Sequence, residues 1–464
     1  MKTFYKLFLL ILTLFLNLNI VFAQEIALSK EYKEQVISKL SQLMNDYYVF
    51  PEVAKQTEEH LKKQMADGYY DSIETDEAFA AALTESVQSI NKDRHMRIRK
   101  NPPFVAPDHS PERVAEEHLD RFNRSRWYNA GFMNVKVLEG NVGYLDLRGF
   151  AGLENGKAHA DAAMQFISRT DAIIIDLSQN GGGSPAMVQY LCSYFFNDHR
   201  HLNSLYWREG DVTQEFWTLD QVGGTKLPDV PLFVITSERT FSGAEEFSYN
   251  MQTQKRATLV GQTTGGGANP GGTRPINENL SVFIPGGKAI NPITQTNWEG
   301  IGVVPEVQTT PEDSFETTLN LAKEAAKTYR DQRNARFTQM LLDLNTHLEQ
   351  YPSTSSEDEI FKSLKTCQDI KLLGEGDINA LGYTYLIEHQ NTKTATCIFK
   401  TNTLLFPDSP NVYDSYAESL MVGGDLKASL KNYEKAVELA VKNQDPNVDL
   451  FKENLEKIKE KMKG

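Results

Sequence analysis

Two stretches of the sequence decide the fold: AIIIDLSQNGGGSP at residues 172–185 and PLFVITSERTFSGAEEF at residues 231–247. Each contains an uninterrupted apolar run, which is typical of a strand buried on both faces. A loop then leads to residues that favour a helix start, Ser184-Pro185 in the first stretch and Ser242 in the second. Strands that alternate with helices in this way indicate an α/β layer with a largely parallel core. Further strands are predicted at 135–137, 142–147, 258–261 and 281–284.

The chain before this layer is predicted to be helical. Apolar residues recur at helical spacing through residues 25–100, and Pro51 and Asp76 mark two helix starts. Prolines then cluster in a segment that indicates a linker, namely Pro102, Pro103, Pro107 and Pro111. We therefore expect an N-terminal helical domain at residues 25–105, followed by an α/β domain at residues 106–311.

Residues 312–464 are predicted to form a C-terminal all-α domain. Ala395 and Ala428 stand 33 residues apart, and Phe399 and Tyr433 stand 34 apart. A period near 34 in helix pairs resembles tetratricopeptide (TPR) repeats, and a plain helical bundle is the alternative. A TPR-like domain would bind or position a protein partner, and it carries no visible chemistry.

The composition is that of an ordinary soluble globular protein with several domains. Of the 464 residues, 40% are hydrophobic and 24% are charged, and the net charge is −14. Because a negative chain repels phosphate backbones, we expect no nucleic-acid partner. The three cysteines are too few and too scattered for a disulfide framework or a zinc site, although Cys367 and Cys397 are compatible with one disulfide.

The first residues have the pattern of a secretory signal. Lys2 and Lys6 precede an apolar run over residues 7–23, which ends in small-residue spacing at Val21-Phe22-Ala23. A retained anchor is the alternative, but it needs about 20 apolar residues, and two asparagines interrupt this run. We expect residues 1–23 to be removed and the mature chain to be exported, periplasmic or secreted, without a membrane span.

Ser242 is the first candidate for chemistry. With Glu245 three residues later it fits a capping box, a purely structural arrangement. The same turn is compatible with function, because a serine between a buried strand and a helix is exposed at the carboxyl edge of the sheet. The N–H of the neighbouring Gly243 would point out of the helix start, where the helix dipole favours a developing anion.

The glycines at 181–183 repeat this strand–loop–helix design. Consecutive glycines permit close backbone approach and expose N–H groups. A flexible turn is the structural alternative. A phosphate loop fits poorly, because neither Gly-Lys-Ser/Thr nor Gly-x-Gly-x-x-Gly is present. An oxyanion formed during acyl transfer is therefore the anion that we expect here.

A serine nucleophile needs a base, and an imidazole in turn is often oriented by an acid. His95 lies where the helical segment gives way to the linker, a position at which a histidine taken alone is more often a surface residue. Glu299 follows Trp298, which would partly desolvate its carboxylate. An ordinary loop acid is the alternative for Glu299.

Four segments together resemble one family. In order, they are Asp93-x-His95, Asp176-Leu177-x-x-Asn180-x-Gly182-Gly183, the run Thr-Phe-Ser-Gly-Ala-Glu-Glu at 240–246, and Glu-x-x-Gly-Val-x-Pro-Glu at 299–306. This set is similar to the tail-specific (C-terminal processing) serine peptidases, in the branch that contains the tricorn core and the interphotoreceptor retinoid-binding proteins. The resemblance covers residues 30–310 and leaves the C-terminal helices outside it.

The resemblance implies a crotonase- and ClpP-like ββα core and hydrolysis of peptide bonds. It assigns Ser242 as nucleophile, His95 as base and Glu299 as supporting acid, with Gly243 and a glycine from the loop, Gly182 or Gly183, as oxyanion donors. Members that use a lysine base carry it about two dozen residues after the serine, but no lysine lies between Lys255 and Lys288. No segment reads as a PDZ domain.

Three features leave alternatives open. The family's tricorn-type sites have a serine where this chain has Arg94, so Asp93 is an alternative orienting acid to Glu299. The retinoid-binding branch implies a non-catalytic carrier of hydrophobic ligands as an alternative function, and the C-terminal helices imply an envelope scaffold as another. We expect a peptide or protein substrate and no metal or organic cofactor. The negative chain favours basic or neutral peptides.

Overall fold

The computed structural model describes residues 28–102 and 110–463. The predicted signal at residues 1–23 and the predicted domain boundary at 105/106 lie outside the described residues. The chain divides into two compact units, the first ending at Tyr329 and the second beginning at Arg330. The N-terminal helices and the α/β layer, predicted as separate domains, therefore fall in one compact unit.

The first unit combines helices with three sheets in the described residues. Its helices are α1 (Lys30–Tyr47), α2 (Pro51–Ala66), α3 (Asp76–Asn91), α4 (Pro111–Tyr128), α5 (Leu153–Ile167), α6 (Pro185–Ser193) and α7 (Gly243–Thr253), with a 3₁₀ turn at Asn129–Gly131. Its strands are β1 (Ile98–Lys100), β2 (Phe132–Leu138), β3 (Val142–Leu147), β4 (Ala172–Asp176), β5 (His201–Trp207), β6 (Val212–Trp217), β7 (Leu232–Thr236), β8 (Thr258–Gly261), β9 (Gly271–Pro275), β10 (Leu280–Pro285), β11 (Gly287–Ile290) and β12 (Val307–Gln308).

The central sheet has the order β12-β8-β7-β4-β3-β2 and is parallel except for the β2–β3 pair. Both of its faces are buried, as the apolar runs predict. Ile173 and Ile175 of β4 enter one core with α5, α6 and α7, whereas Ile174 enters a second core on the opposite face. The α/β core with a helical N-terminal region and a helical C-terminal region confirms the predicted fold class.

The N-terminal helices pack on a smaller sheet with the order β1-β10-β9. Leu40, Leu61 and Leu83, from α1, α2 and α3, share one core with Ile98 and Val282 of that sheet. Pro51 begins α2 as predicted, but the cap of α3 is the side chain of Thr75, which accepts from Ala78 N–H, and not Asp76. A third sheet has the order β11-β5-β6.

The second unit is helical. It begins inside the helix α8 (Ser314–Gln350), whereas the sequence predicts a boundary at 311/312. Its other helices are α9 (Glu357–Asp369), α10 (Glu375–Tyr383), a π-helical turn at Thr384–Glu388, α11 (Thr392–Leu405), α12 (Pro410–Val422), α13 (Leu426–Asn443) and α14 (Val448–Lys461). Phe399 and Tyr433 are buried as the repeat pattern expects, but Ala428 is only half-buried.

Two further properties bear on the sequence analysis. Cys192, Cys367 and Cys397 are buried free thiols, so the disulfide considered between Cys367 and Cys397 is not formed. Among the described residues, none of the helices has the length and apolar character needed to cross a bilayer.

Candidate active site

Ser242 occupies a strained turn between β7 and α7. Its backbone has φ 54° and ψ −121°, in the left-handed half of conformational space that a residue with a side chain rarely adopts. Such a conformation costs about 1–3 kcal/mol and persists only where the surroundings hold it. The predicted sharp strand-to-helix turn is present, and it places the serine at the carboxyl edge of the parallel strands.

Glu245 is the residue that holds this turn. Its carboxylate accepts the N–H of Ser242 at 2.8 Å, which is one half of the predicted capping box. The same carboxylate accepts the N–H groups of Gly266 at 2.6 Å and Gly267 at 2.8 Å, and the hydroxyl of Thr264. Burial raises the pKa of Glu245, against the opposing effect of these donors. The side chain therefore ties the serine turn to the loop 264–267.

The glycine loop that follows β4 lies directly against the serine turn. Because β4 and β7 are parallel neighbours, their following loops meet at the same edge of the sheet. Asn180 joins the two loops, since its backbone carbonyl accepts the N–H of Phe241 at 3.0 Å. A Cβ on Gly182, which has φ 103°, would lie 2.7 Å from Gly243 N and 2.9 Å from Ser242 Cβ. Only glycine fits this approach.

The candidate oxyanion donors differ in whether their backbone N–H groups are already hydrogen-bonded. Gly182 donates its N–H to Oδ1 of Asn180 at 2.8 Å, so this amide is committed inside the loop and the expectation that it is a donor is corrected. Within residues 28–102 and 110–463, neither Gly183 nor Gly243 has an acceptor for its N–H. Gly183 and Gly243 lie close together: a Cβ added to Gly243 would be 3.1 Å from Gly183 N.

His95 reaches the same place from the segment between α3 and β1. Its ring lies against Phe241, the residue before Ser242, with ring centroids 4.5 Å apart, and stacks on Phe283 at 5.8 Å. A Cβ on Gly267 would lie 2.6 Å from its Cε1 atom. Burial, and secondly the charge of Arg97, lower the pKa of His95 to about 4. The imidazole is therefore neutral at pH 7 and able to accept a proton.

Two acids lie behind the imidazole. Asp93 is fully buried, and its Oδ2 accepts from Asn269 Nδ2 at 2.9 Å and from the Tyr48 hydroxyl at 3.4 Å. Glu299 Oε2 accepts the N–H groups of Ala268 at 2.6 Å and Asn269 at 3.0 Å. Burial raises the pKa of both carboxyls, and the charge of Asp93 raises that of Glu299 further.

The imidazole of His95 and the carboxyl of Glu299 each have a buried atom without a hydrogen-bond partner in the described residues. His95 Nδ1 and Glu299 Oε1 are both buried, and neither has a hydrogen-bond partner in the described part of the chain. One donor atom from each of Asp93, His95 and Glu299 lies within 4.8 Å of the other two, so these residues are also the group that could hold a cation. His95 Nδ1 and Asp93 Oδ1 are 4.0 Å apart, which is farther than the ~3.3 Å that separates neighbouring ligand atoms of a tetrahedral zinc ion.

Two family models match the chain and together span more than half of it. The model for peptidase family S41 matches residues 141–309, and the model for the N-terminal domain of peptidase S41 in eukaryotic IRBP matches residues 20–124. The chain belongs to peptidase family S41. It is accordingly a serine-type peptidase, and the matched ranges contain Ser242, His95 and Glu299.

Solved structures similar to this S41 peptidase are remote in sequence. A protein of Parabacteroides merdae assigned as a peptidase is 18% identical, with a TM-score of 0.45, 62% of this chain covered and 96% of the other. The photosystem II D1 C-terminal processing protease is 14% identical, with a TM-score of 0.38 and coverage of 60% and 94%. The tricorn protease is 15% identical, with a TM-score of 0.38 and coverage of 64% and 37%.

Sequence reasoning about this S41 peptidase missed several residues at the site. Glu245 was interpreted only as a helix cap, although the spacing that indicates a capping box also marks a buried acid beside the serine. Tyr48 and Asn269 carry no local signal, because their roles depend on contacts between segments distant in sequence. Gly267 is likewise identified only by its contact with His95 and Phe241.

Proposed function

We propose that this S41 peptidase hydrolyses peptide bonds through an acyl-enzyme on Ser242, with His95 as general base. The Ser242 hydroxyl transfers its proton to the imidazole as its oxygen bonds to the substrate carbonyl carbon. The negative oxygen of the tetrahedral intermediate is held by the N–H groups of Gly183 and Gly243. The imidazolium then protonates the leaving amine as the C–N bond breaks, and water releases the acyl group by the same steps.

One observation carries this proposal: the backbone around Ser242 meets both the glycine loop and the His95 ring. Gly182 abuts Ser242 Cβ on one side, and His95 packs on Phe241 on the other. Burial of the imidazole lowers the pKa of His95, so the proposed base is neutral at pH 7. Glu299, whose Oε1 is unpartnered, is the acid that we propose to orient Nδ1 of His95.

A serine-directed fluorophosphonate probe tests the nucleophile. We expect wild-type protein to be labelled at Ser242, and Ser242→Ala to lose both labelling and peptidase activity by at least about a thousandfold. Ser168→Ala is the matched control, because that hydroxyl only caps the end of α5. Folded wild-type protein that neither labels nor cleaves peptides would contradict the proposal and favour the non-catalytic ligand carrier.

We also propose that the peptidase is exported. The support is the sequence pattern of residues 1–23, with two lysines, an apolar run and a small-residue cleavage site. Mass spectrometry of the mature protein from an exporting host should find Gln24 as the first residue. An intact Met1 on protein that stays inside the cell would contradict export.

A protein-binding role is proposed for the second unit. Its support is that α11 and α13 begin 34 residues apart, at Thr392 and Leu426, the period expected of repeated helix pairs. Photo-crosslinking from Lys427, which is exposed on α13, should capture a protein in cells of the source organism if this surface binds a partner. The same crosslinker at Lys100, on β1, is the control.

A further inference from the structure

A basic cavity lies beside the base of this acidic protein. The cavity has a volume of about 550 Å³, and His95 and Phe241 form part of its wall. Its basic lining consists of Arg94, Arg97, Arg99 and Arg239. Among the described residues, Glu238 is its one acidic lining residue. The local charge is therefore opposite to the net charge of −14 carried by the whole chain.

Strand alternation explains why the arginines point into this cavity. Ile98 of β1 is buried in the core with the N-terminal helices, so its neighbours Arg97 and Arg99 lie on the other face of the β1-β10-β9 sheet. On that face, Arg99 pairs with Ser281 of β10, and Phe283 N–H donates to the Arg97 carbonyl at 3.0 Å. The sheet thus buries an apolar face and presents a cationic one to the active site.

The second wall comes from the loop before the nucleophile. Glu238, Arg239 and Phe241 lie between β7 and Ser242, and all three line the cavity. The Arg239 guanidinium donates to Gln179 Oε1 at 2.8 Å, which fixes it over the glycine loop. A group bound in the cavity would therefore contact both the sheet and the loop that carries the serine.

The four arginines of the cavity are unpaired in the part of the chain that the structure describes. In the described residues none of the four forms an ion pair, and their side-chain hydrogen bonds go to neutral oxygens, Arg94 O at 3.1 Å from Arg97 Nε and the side chain of Gln179. Four guanidinium groups that converge beside one acid, without an ion pair to it, repel one another until an anion binds among them. Guanidinium groups are well suited to carboxylates, because they donate two parallel hydrogen bonds.

We propose that this cavity is a substrate subsite that binds a carboxylate of the peptide, so that the enzyme favours anionic peptides over neutral or basic ones. The proposal rests on the proposed function, because it names the substrate class of that same site. An acidic side chain and a free C-terminus supply the same chemistry. A bound carboxylate would also offset the Arg97 charge, which lowers the pKa of His95, and so would strengthen the base when substrate is present.

The test measures binding first, so that it does not depend on turnover. Fluorescently labelled short peptides are titrated into Ser242→Ala protein. In the first pair, a peptide with glutamates is compared with one in which glutamines replace them, and both peptides end in an amide. In the second pair, whose side chains are uncharged, a peptide with a free C-terminal carboxylate is compared with the same peptide ending in an amide. We expect the anionic member of at least one pair to bind about tenfold tighter, with a preference that shrinks as salt is added.

Variants then locate the effect. Adding Arg99→Gln to Ser242→Ala should remove most of the preference, whereas adding Arg169→Gln should leave it unchanged. Arg169 is exposed between α5 and β4, at the amino edge of the sheet, so it makes the same change of charge away from the cavity. Preference in the first pair identifies an acidic side chain, and preference in the second identifies the terminal carboxylate.

Two outcomes would overturn the inference: equal binding within both pairs, or a preference that survives Arg99→Gln. Turnover of the same peptides by wild-type protein separates this failure from failure of the proposed function. Cleavage without an anionic preference would remove only the subsite. Tight anionic binding without cleavage or probe labelling would support the subsite and contradict the peptidase mechanism.

Discussion

Asp93 Oδ1 lies 4.0 Å from His95 Nδ1 and accepts the backbone N–H of His95 at 3.1 Å. The Asp93 carboxylate is therefore already engaged, because Tyr48 and Asn269 donate to its other oxygen. Glu299 differs, since its Oε1 is buried and unpartnered. We infer that Asp93 shapes the loop that presents His95, and that Glu299 is the acid free to bond the imidazole.

Substitution of the two acids should separate these roles. In Glu299→Gln, the side-chain oxygen can still accept the N–H groups of Ala268 and Asn269, but an amide donor faces His95. This donor favours the wrong tautomer of the imidazole, so kcat should fall by about a hundredfold or more with little change in Tm. Asp93→Asn places an amide against donors in a buried site and should cost about 1–3 kcal/mol of stability. Kinetics and thermal unfolding measure both, and the reverse pattern would make Asp93 the orienting acid.

The pH dependence of activity should follow the lowered pKa of His95. A protonated imidazole cannot act as base, so kcat/KM for an uncharged peptide should fall only as the pH approaches about 4, well below the ordinary histidine value of 6.5. Arg97→Gln removes a charge that disfavours the imidazolium, so the pKa should rise and the acid limb should move to higher pH. Arg97→Lys keeps the charge and is the control. An acid limb near pH 6.5 in all three proteins would contradict the assignment.

Adjacent glycines of the loop should respond differently to a methyl group. Gly182→Ala would push a Cβ to within 2.7 Å of Gly243 N and 2.9 Å of Ser242 Cβ, at a positive φ. Displacement of the proposed nucleophile and of a proposed oxyanion donor should lower kcat/KM by a hundredfold or more. Gly181→Ala is the matched control, because nothing lies within 4 Å of its added Cβ. Equal activity in the two variants would show that this contact does not position the nucleophile.

The sequence predicts those parts of the fold that have a strong apolar pattern. The runs at 172–177 and 231–236 correspond to β4 and β7, because a strand buried on both faces must be apolar throughout. The helix α4 and the strand β6 were not predicted. Most of their residues are exposed, so neither element has the run of buried apolar residues that identifies β4 and β7.

The site could be predicted only where function coincides with a local pattern. Ser242 and the glycine loop follow buried strands, so their meeting at one edge of the sheet follows from parallel topology. The burial of His95 between Phe241 and Phe283 arises from packing between distant segments. The cationic face with Arg97 and Arg99 belongs to a strand of only three residues, too short to show alternation.

Glu245 should prove to be a positioning residue rather than a simple helix cap. Its buried carboxylate accepts the N–H groups of Ser242, Gly266 and Gly267 and the Thr264 hydroxyl, so Glu245→Gln would turn an amide donor against other donors. We expect a loss of about 1–3 kcal/mol of unfolding free energy.

Because Gly267 contacts His95 and Phe241, release of its loop should also move the base relative to the serine. For Glu245→Gln, kcat should therefore fall more than KM rises, even at temperatures where the variant remains folded. Glu154→Gln, at the exposed start of α5, makes the same chemical change without these contacts and is the control. Normal kcat in folded Glu245→Gln protein would reduce Glu245 to a helix cap.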